Sequence, residues 1–315
     1  MKLSPALTFI TLILLVSQPD IGSSTEAPQE TPPKAEEKRN LLRRGGDKVE
    51  EVVDIIAQTL DVALARHKYQ KVDNQKSQAK ITQVVSYKEG GVIDTSTDFA
   101  LNLRLPNLEK KWQLRFTSYD EDEEHRTRST VYQTTGPRRE YGAGIGFFRK
   151  LGKVKFSFKP KLVLKDPLEM NYTLQMENFT KAGEVEVRSR CDLYAQAAKG
   201  TGEFVEIDAR LPRGKWTFGT NHKEEYAQRD TRFTTNHSLS VDRGLTQYLG
   251  VFQSVSFGLD SRPTYHLDSI TLSNGVGQEI EKNRLDYSFG PSLTFAKSRN
   301  FKGLASLNLN IHLLF

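Results

Sequence analysis

The histidines are the side chains best suited to acid–base or metal chemistry near neutral pH. They are His67, His125, His222, His237, His266 and His312. None belongs to a nucleophile elbow or to a metal-binding pair such as H-E-x-x-H. His125 follows the acidic run 121–124, and His266 lies close to Asp268, so an acid and an imidazole could together form a hydrolytic site at one rim. Nothing in the spacing makes them converge. The sequence favours a solvated loop and a hydrogen-bonded strand residue, and we expect no catalysis, no metal and no cofactor.

A row of lysines forms the most suggestive polar set in the chain. It consists of Lys153, Lys155, Lys159, Lys161 and Lys165. Side chains at alternate positions of a strand share one face, so these ammonium groups would project on one side. In an open pore such a column would favour anions. A later stretch places three carboxylates that could neutralise the column on the same side, Glu184, Glu186 and Asp192, together with Arg188 and Arg190. Neutralisation would leave a packed or weakly selective interior, and the sequence leaves both possibilities open.

From Ser77 onward, apolar and polar residues alternate with a period of two, in segments of about ten residues separated by turn residues. This alternation predicts the strands that would carry the lysine row and its neighbours. Val205, Ile207 and Ala209, for example, alternate with polar side chains. Strands are predicted near 79–88, 95–105, 111–120, 128–148, 153–164, 169–178, 184–195, 203–211, 215–227, 231–241, 246–259, 263–276, 284–296 and 304–315. A two-sheet sandwich shares this alternation, but so many strands without fully buried central ones fit a single closed sheet better. The candidate inward-facing residues are Lys155, Lys159, Lys161, Glu186, Arg188, Arg190, Glu206, Asp208 and Arg210.

The last predicted strand, 304–315, places Leu309, Ile311, Leu313 and Phe315 on one apolar side. This alternation and its aromatic end resemble the signal by which Gram-negative bacteria recognise outer-membrane β-barrels for assembly. The region from Gln78 to Phe315 likewise resembles porin-like barrels in pattern, without matching a characterised subfamily. The resemblance implies an all-β fold, an antiparallel up-and-down transmembrane β-barrel of about 14 strands, with 12 or 16 possible. It also implies outer-membrane lipid and the barrel assembly machinery as partners, and it leaves the oligomeric state open.

The region before the barrel divides into three predicted parts. Residues 1–24 have the layout of a secretory signal peptide, because Lys2 precedes an apolar run too short to span a bilayer. Residues 25–46 are rich in Pro, Glu and charge and are expected to form a disordered linker. Residues 47–70 carry apolar side chains at helical spacing and predict an amphipathic periplasmic helix. This helix could pack on the periplasmic end of the barrel, self-associate, or enter the barrel as a plug.

Composition narrows the class of protein further. The net charge of +6 is spread along the chain and no nucleic-acid motif accompanies it, so we expect no nucleic-acid partner. Cys191 is the single cysteine, which excludes an intramolecular disulfide. The mean hydropathy of −0.54 argues against a helical membrane protein, whereas barrel strands need lipid-compatible side chains only at every second position.

Turn residues give the expected orientation and complete the functional expectation. Short turns such as 149–152, 180–183 and 212–214 follow even-numbered strands and would be periplasmic, whereas the acidic connection Asp120–His125 follows the third strand and would be external. We expect a porin-like channel for passive passage of small polar or anionic solutes, with no enzymatic activity. The alternatives are a structural or binding barrel with a filled lumen, and a hydrolase similar to the outer-membrane omptin proteases.

Overall fold

The computed structural model describes residues 47–49, 51–60, 77–104, 112–119, 122, 125–126, 139–197, 199–282 and 284–315. The expected signal peptide and linker lie outside these residues, as does the end of the expected helix. One helix, α1, covers residues 47–49 and 51–60. Within the described part of the chain, no helix is both long enough and apolar enough to cross a membrane.

Fourteen antiparallel strands follow α1 and form one closed barrel, as the alternation predicts. They are β1 (Gln78–Lys88), β2 (Val92–Arg104), β3 (Trp112–Tyr119), β4 (Arg139–Leu151), β5 (Val154–Val163), β6 (Glu169–Ala182), β7 (Val185–Gln196), β8 (Gly200–Arg213), β9 (Trp216–Ala227), β10 (Arg232–Gly244), β11 (Leu249–Asp260), β12 (His266–Glu281), β13 (Leu285–Ala296) and β14 (Gly303–Leu314). A 3-10 turn (Lys297–Arg299) precedes β14.

Each strand pairs with its neighbour in sequence, and the first and last strands close the barrel. Ile81 of β1 lies opposite Leu313 of β14. Beyond it, the backbone N–H of Ala79 donates to the Phe315 carbonyl at 3.0 Å, and the Phe315 N–H donates to the Ala79 carbonyl at 2.9 Å. Closure pairs the edge groups that an open sheet would leave without partners.

The two faces of the strands differ in chemistry, as β8 illustrates. Val205 and Ile207 are 38% and 46% exposed on the outer side, whereas Glu206, between them, is buried on the other side. Leu239 of β10 and Phe289 of β13 are likewise exposed apolar residues. The barrel is therefore apolar outside and polar inside, which is the arrangement that a lipid environment requires.

Tight turns join the even-numbered strands to the next strand at the predicted periplasmic end. Gly183 between β6 and β7 and Gly214 between β8 and β9 both have a φ of 62°. Glycine adopts this left-handed conformation without the steric cost of a Cβ atom. Four described strand starts differ by three residues from the prediction: β2 starts at Val92, β8 at Gly200, β11 at Leu249 and β12 at His266. The predicted start of β4 at 128 lies outside the described residues, which resume at Arg139.

Helix α1 packs against the outer wall of the barrel. Its Val53 and Ala57 form a buried cluster with Ala79 of β1 and Leu103 of β2. Leu60, Leu101, Leu114, Phe116 and Phe315 surround this cluster. Ala79 lies opposite Leu101 in the register, and Leu103 lies opposite Leu114, so these side chains share the outward face. The described part of α1 therefore lies outside the lumen, and the plug arrangement is not the one that the structure shows.

Candidate functional site in the barrel lumen

Charged side chains from four strands meet inside the barrel, around residues that follow β3. Residues 120–138, here the β3–β4 segment, connect β3 to β4, and Asp122, His125 and Arg126 are its described residues. All three are helical and none is exposed. They contact one face of β5, β7, β8 and β9, which identifies that face as the lumen side. The expectation that Asp120–His125 forms an external, solvated connection is therefore wrong for Asp122 and His125.

Asp122 joins the β3–β4 segment to two strands. Its Oδ1 accepts hydrogen bonds from Lys159 Nζ of β5 at 2.8 Å and from Arg190 Nη2 of β7 at 3.0 Å. Arg190 in turn donates from Nε to Asp192 Oδ1 at 2.9 Å and from Nη2 to Asp192 Oδ2 at 2.5 Å. Asp192 has no exposed surface. A buried charge needs partners of this kind, because burial removes its hydration.

Arg126 extends the contacts toward β9. Its guanidinium carbon lies 4.4 Å from the centroid of the Tyr194 ring, a cation–π geometry. Its Nη1 lies 3.7 Å from Asp192 Oδ2, and its Nε lies 3.8 Å from Glu225 Oε1. Glu225 Oε1 also accepts from Tyr194 Oη at 2.8 Å and from Lys199 Nζ at 2.9 Å. Arg126 is therefore held between the carboxylates of two strands.

His125 lies against β8 and β9. Its Nε2 is 3.5 Å from Glu206 Oε2, and its ring meets the Phe204 ring edge to face, with 6.1 Å between the centroids. Lys223 Nζ donates to the His125 carbonyl oxygen at 2.7 Å and lies 3.8 Å from Glu206 Oε1. We call these residues the lumenal network: Asp122, His125, Arg126, Lys159, Arg190, Asp192, Tyr194, Lys199, Glu206, Lys223 and Glu225.

The surroundings shift the ionisation of both titratable residues in the β3–β4 segment. Burial alone would raise the pKa of the Asp122 carboxyl, but Lys159 and Arg190 outweigh it and hold that pKa well below its ordinary range. Burial, together with the positive charges of Arg190 and Lys223, lowers the pKa of His125 from 6.5 to about 2. Asp122 is therefore an anion at neutral pH and His125 is uncharged.

The predicted inward-facing residues occupy four different places. Lys159, Arg190 and Glu206 belong to the lumenal network. Lys155 and Arg188 flank Glu177 of β6, with Lys155 Nζ at 4.0 Å from Oε2 and Arg188 Nε at 2.5 Å from Oε1. Glu186 pairs with Lys181 at 2.6 Å near the β6–β7 turn, and Arg210 pairs with Asp208 at 3.2 Å. Lys161 lies beside Arg115 and Asn171 in the lining of a small lumenal cavity.

The lysine row has nearby carboxylates, although they differ from the partners that the sequence suggests. Lys159 pairs with the β3–β4 segment and Lys155 with β6, while Lys165 pairs with Glu169 at 2.5 Å. Glu184, which the sequence offers as a partner, instead lies 2.6 Å from Arg213. Neutralisation of the row thus comes mainly from the neighbouring strand and from the β3–β4 segment.

Sequence reasoning missed the residues that join the network across the lumen. The sequence candidates omit four of them: Arg126, Tyr194, Lys223 and Glu225. Lys223 and Glu225 lie at alternate positions of β9, on the same face as Asn221. The alternation of β9 could have identified these two residues. No pattern distinguishes Arg126 from an ordinary loop arginine, because its partners are distant in sequence.

Two larger cavities lie along the inner wall formed by β8 to β12. One, of about 370 Å³, is lined by Asp208 and Arg210 of β8 and by Ser238 of β10, and extends toward the predicted periplasmic end. The other, of about 280 Å³, is lined by Arg126 and Lys223 and extends toward the opposite end. The second cavity therefore lies beside the lumenal network, whereas the first is lined by other residues of the wall.

The far side of the lumen carries hydroxyl and amide groups. Ser86 Oγ of β1 donates to Asn308 Oδ1 of β14 at 2.8 Å, and Asn308 Nδ2 donates to Ser292 Oγ of β13 at 3.1 Å. Buried residues of the same kind continue round the wall at Ser238, Ser254, Ser256, Thr271, Ser273 and Asn310. Charged groups are thus densest along β5 to β9, whereas β10 to β14 carry mainly hydroxyl and amide groups, with the Arg232–Asp260 and His312–Asp286 pairs among them.

His67 lies outside the described residues, and the other described histidines are placed apart from the network. His222 of β9 lies opposite His237 of β10 on the outer face, with 2.9 Å between their Nδ1 atoms. His312 Nδ1 lies 2.8 Å from Asp286 Oδ1, and His266 Nδ1 contacts the Thr264 carbonyl. Among the residues that the structure describes, no group of three or more His, Cys, Asp or Glu could hold a metal ion.

A closed antiparallel barrel with an apolar exterior and a charged interior is a transmembrane β-barrel. The protein has this architecture, since its 14 described strands form one closed antiparallel barrel. No family model and no curated protein matches the sequence.

Among solved structures, the chain is similar to OmpT, expressed in the outer membrane of Vibrio cholerae, with 7% identity, coverage of 79% of this chain and 100% of that one, and a TM-score of 0.49. It is also similar to a bacterial polysaccharide outer membrane secretin, with 11% identity, coverage of 78% and 99%, and a TM-score of 0.48. OprB of Pseudomonas putida matches at 8% identity, with coverage of 76% and 93% and a TM-score of 0.48. At these identities the likeness extends to the fold and does not extend to solute or activity.

Proposed function

We propose that the protein is an outer-membrane pore for the passive passage of small polar solutes, narrowed where Asp122, His125 and Arg126 enter the lumen. The observation that carries this proposal is the pair of cavities along the inner wall of β8 to β12, of about 370 and 280 Å³, the smaller of which is lined in part by the lumenal network. Solutes of a few heavy atoms would pass along the wall of β8 to β12, where hydroxyl groups can replace part of their hydration.

The charges of the network favour anions weakly. Its cationic side chains are Arg126, Lys159, Arg190, Lys199 and Lys223, and its carboxylates are Asp122, Asp192, Glu206 and Glu225. Because most of them are paired, the field in the lumen is much smaller than an unpaired lysine column would produce. The proposal includes no chemical step at the histidines. His125 instead helps to hold the β3–β4 segment against β8 and β9, through its contacts with Glu206 and Lys223.

Conductance of the refolded full chain in a planar bilayer tests the pore. We expect discrete current steps and a reversal potential in a salt gradient that indicates a small preference for anions. Folded barrel that inserts into vesicles without conducting would overturn the pore. A cation preference would overturn the assignment of selectivity.

A filled-lumen barrel that has a structural or binding role is the second candidate. The close packing of the network favours it, since Phe204 and Asp192 have no exposed surface and Arg126 is buried. In that case the β3–β4 segment would seal the lumen. Uptake of a small sugar into proteoliposomes separates the two functions, because a sealed barrel admits none.

A further inference from the structure

Helix α1 has more apolar surface than the barrel covers. Val53 and Ala57 are buried against the outer wall. Beside them on the helix, Val49, Val52, Ile55 and Ile56 are exposed, with Val52 at 55% and Ile55 at 53%. Four exposed β-branched side chains on one short helix are unusual for a surface in water. The apolar arc of α1 therefore continues beyond its contact with the barrel.

The surface on which α1 rests is the outward wall of β1, β2 and β3. The wall beyond the helix carries exposed apolar residues on the same face, including Phe99 at 41%. Phe99 lies opposite Ile81 in the register, one outward position along from Leu101, which packs against the α1 cluster. The uncovered side of α1 is thus continuous with the part of the wall that contacts lipid.

Two acidic residues of α1 mark the side that faces water. Asp47 and Glu51 are exposed and lie away from Val52 and Ile56 on the helix. The Asp47 carboxylate also accepts a 2.6 Å hydrogen bond from Arg284 Nη2, between β12 and β13. This contact fixes the start of α1 at the end of the barrel where the even-numbered strands turn. The helix therefore lies where wall, lipid and water meet.

We propose that α1 is inserted along the membrane surface, with Val49, Val52, Ile55 and Ile56 among the lipid acyl chains of the adjacent leaflet. Amphipathic helices of this kind lie in the interface plane with their apolar face buried in the acyl boundary. The acidic residues Asp47, Glu51 and Asp54 give no attraction to anionic headgroups, so acyl chains are the partner. A helix placed in this way replaces some of the lipid molecules that would contact β1 to β3, and it holds the amino-terminal region at the bilayer.

Spin labels can measure the depth of each side of α1. In a Cys191→Ser background, Val52→Cys and Ile56→Cys place a nitroxide on the proposed lipid side, and Asp47→Cys and Glu51→Cys are matched controls on the polar side. The labelled full chains are refolded into phosphatidylcholine vesicles. Relaxation by molecular oxygen, which concentrates in lipid, is compared with relaxation by a water-soluble nickel chelate.

The inference requires labels at Val52 and Ile56 to collide several-fold more with oxygen than with nickel, and labels at Asp47 and Glu51 to show the reverse. Equal exposure of both sides to nickel would overturn it. Spin–spin broadening at Val52 that disappears on dilution with unlabelled protein would also overturn it, because a second copy would then cover the face. Since all four side chains are exposed, their replacement removes no barrel packing, and heat-modified mobility on gels confirms folding of each variant.

Discussion

Lys159 Nζ of β5 donates a 2.8 Å hydrogen bond to Asp122 Oδ1 across the lumen, and this contact joins the β3–β4 segment to the barrel wall. The same carboxylate oxygen accepts from Arg190. Two cations therefore hold the Asp122 carboxylate against the barrel wall. Removing this attachment should widen the lumen while the strand pairing of the barrel stays unchanged.

Replacing Asp122 with Asn should increase the conductance of a single pore. The substitution leaves Lys159 without its anionic partner, and breaking a buried charge pair typically costs about 3–5 kcal/mol. The docked position of the segment is then less favoured and the lumen widens on average. Asp94→Asn is the control, because Asp94 pairs with Lys88 at the exposed β1–β2 end. Equal conductance of the Asp122→Asn and native proteins would show that the segment does not limit the current.

Acid should release the β3–β4 segment through His125. The pKa of the docked imidazole is lowered from 6.5 to about 2, so the released state binds the proton more readily. Docking is fully stable above pH about 6.5 and loses about 2 kcal/mol by pH 5. Conductance should thus rise as the pH falls below 6.5. His125→Gln should remove this dependence, whereas His266→Gln should retain it. A rise that persists in His125→Gln would assign the effect to another group.

Ion selectivity should respond to the sign of the charge removed from the network. Lys223→Gln removes a cation and should shift the reversal potential toward cation preference, with a permeability ratio changed a few-fold. Glu206→Gln removes a neighbouring carboxylate, 3.8 Å from Lys223, and should shift it in the opposite direction. Shifts of the same sign in both variants would mean that rearrangement of the segment, and not lumen charge, controls selectivity.

Removing packing beneath α1 should destabilise the barrel locally. Leu103 has no exposed surface, so Leu103→Ala creates a cavity and should cost about 2–5 kcal/mol. Leu239→Ala, on an exposed part of the outer wall, should cost about 1–2 kcal/mol from lost apolar contact alone. Urea unfolding in vesicles measures both. Equal costs would indicate that α1 does not pack on Leu103 in the membrane.

Assembly in cells should depend on Phe315 beyond its packing. Phe315 contacts the cluster under α1 and is one of the residues that resemble a barrel-assembly signal. We expect Phe315→Ala to lower the amount of barrel in the outer membrane several-fold. Leu103→Ala removes packing from the same cluster and leaves the signal intact, so its amount should fall less. Equal reductions would attribute the whole effect of Phe315 to packing.

The barrel was predictable from the sequence because its signal is local and repeated. Every strand has an apolar face toward lipid and a polar face toward the lumen, so alternation such as that of Val205, Ile207 and Ala209 recurs in each strand. The site was predictable only in part. Lys159, Arg190 and Glu206 follow from alternation, but the inward path of Asp122 and Arg126 depends on partners in β5, β7 and β9. An acidic stretch after a strand is ordinarily solvated, and only the surplus of buried cations across the lumen reverses that preference.

The hydrogen bonds between Ala79 and Phe315 join the two strands of the barrel that are most distant in sequence. Ser86 and Asn308, on the same two strands, are separated by 222 residues. Contacts so distant in sequence form more slowly than those of neighbouring hairpins. Until β1 pairs with β14, two strand edges are unpaired and can recruit each other or another chain. During folding, pairing of β1 with β14 therefore competes with pairing of either unpaired edge with another chain.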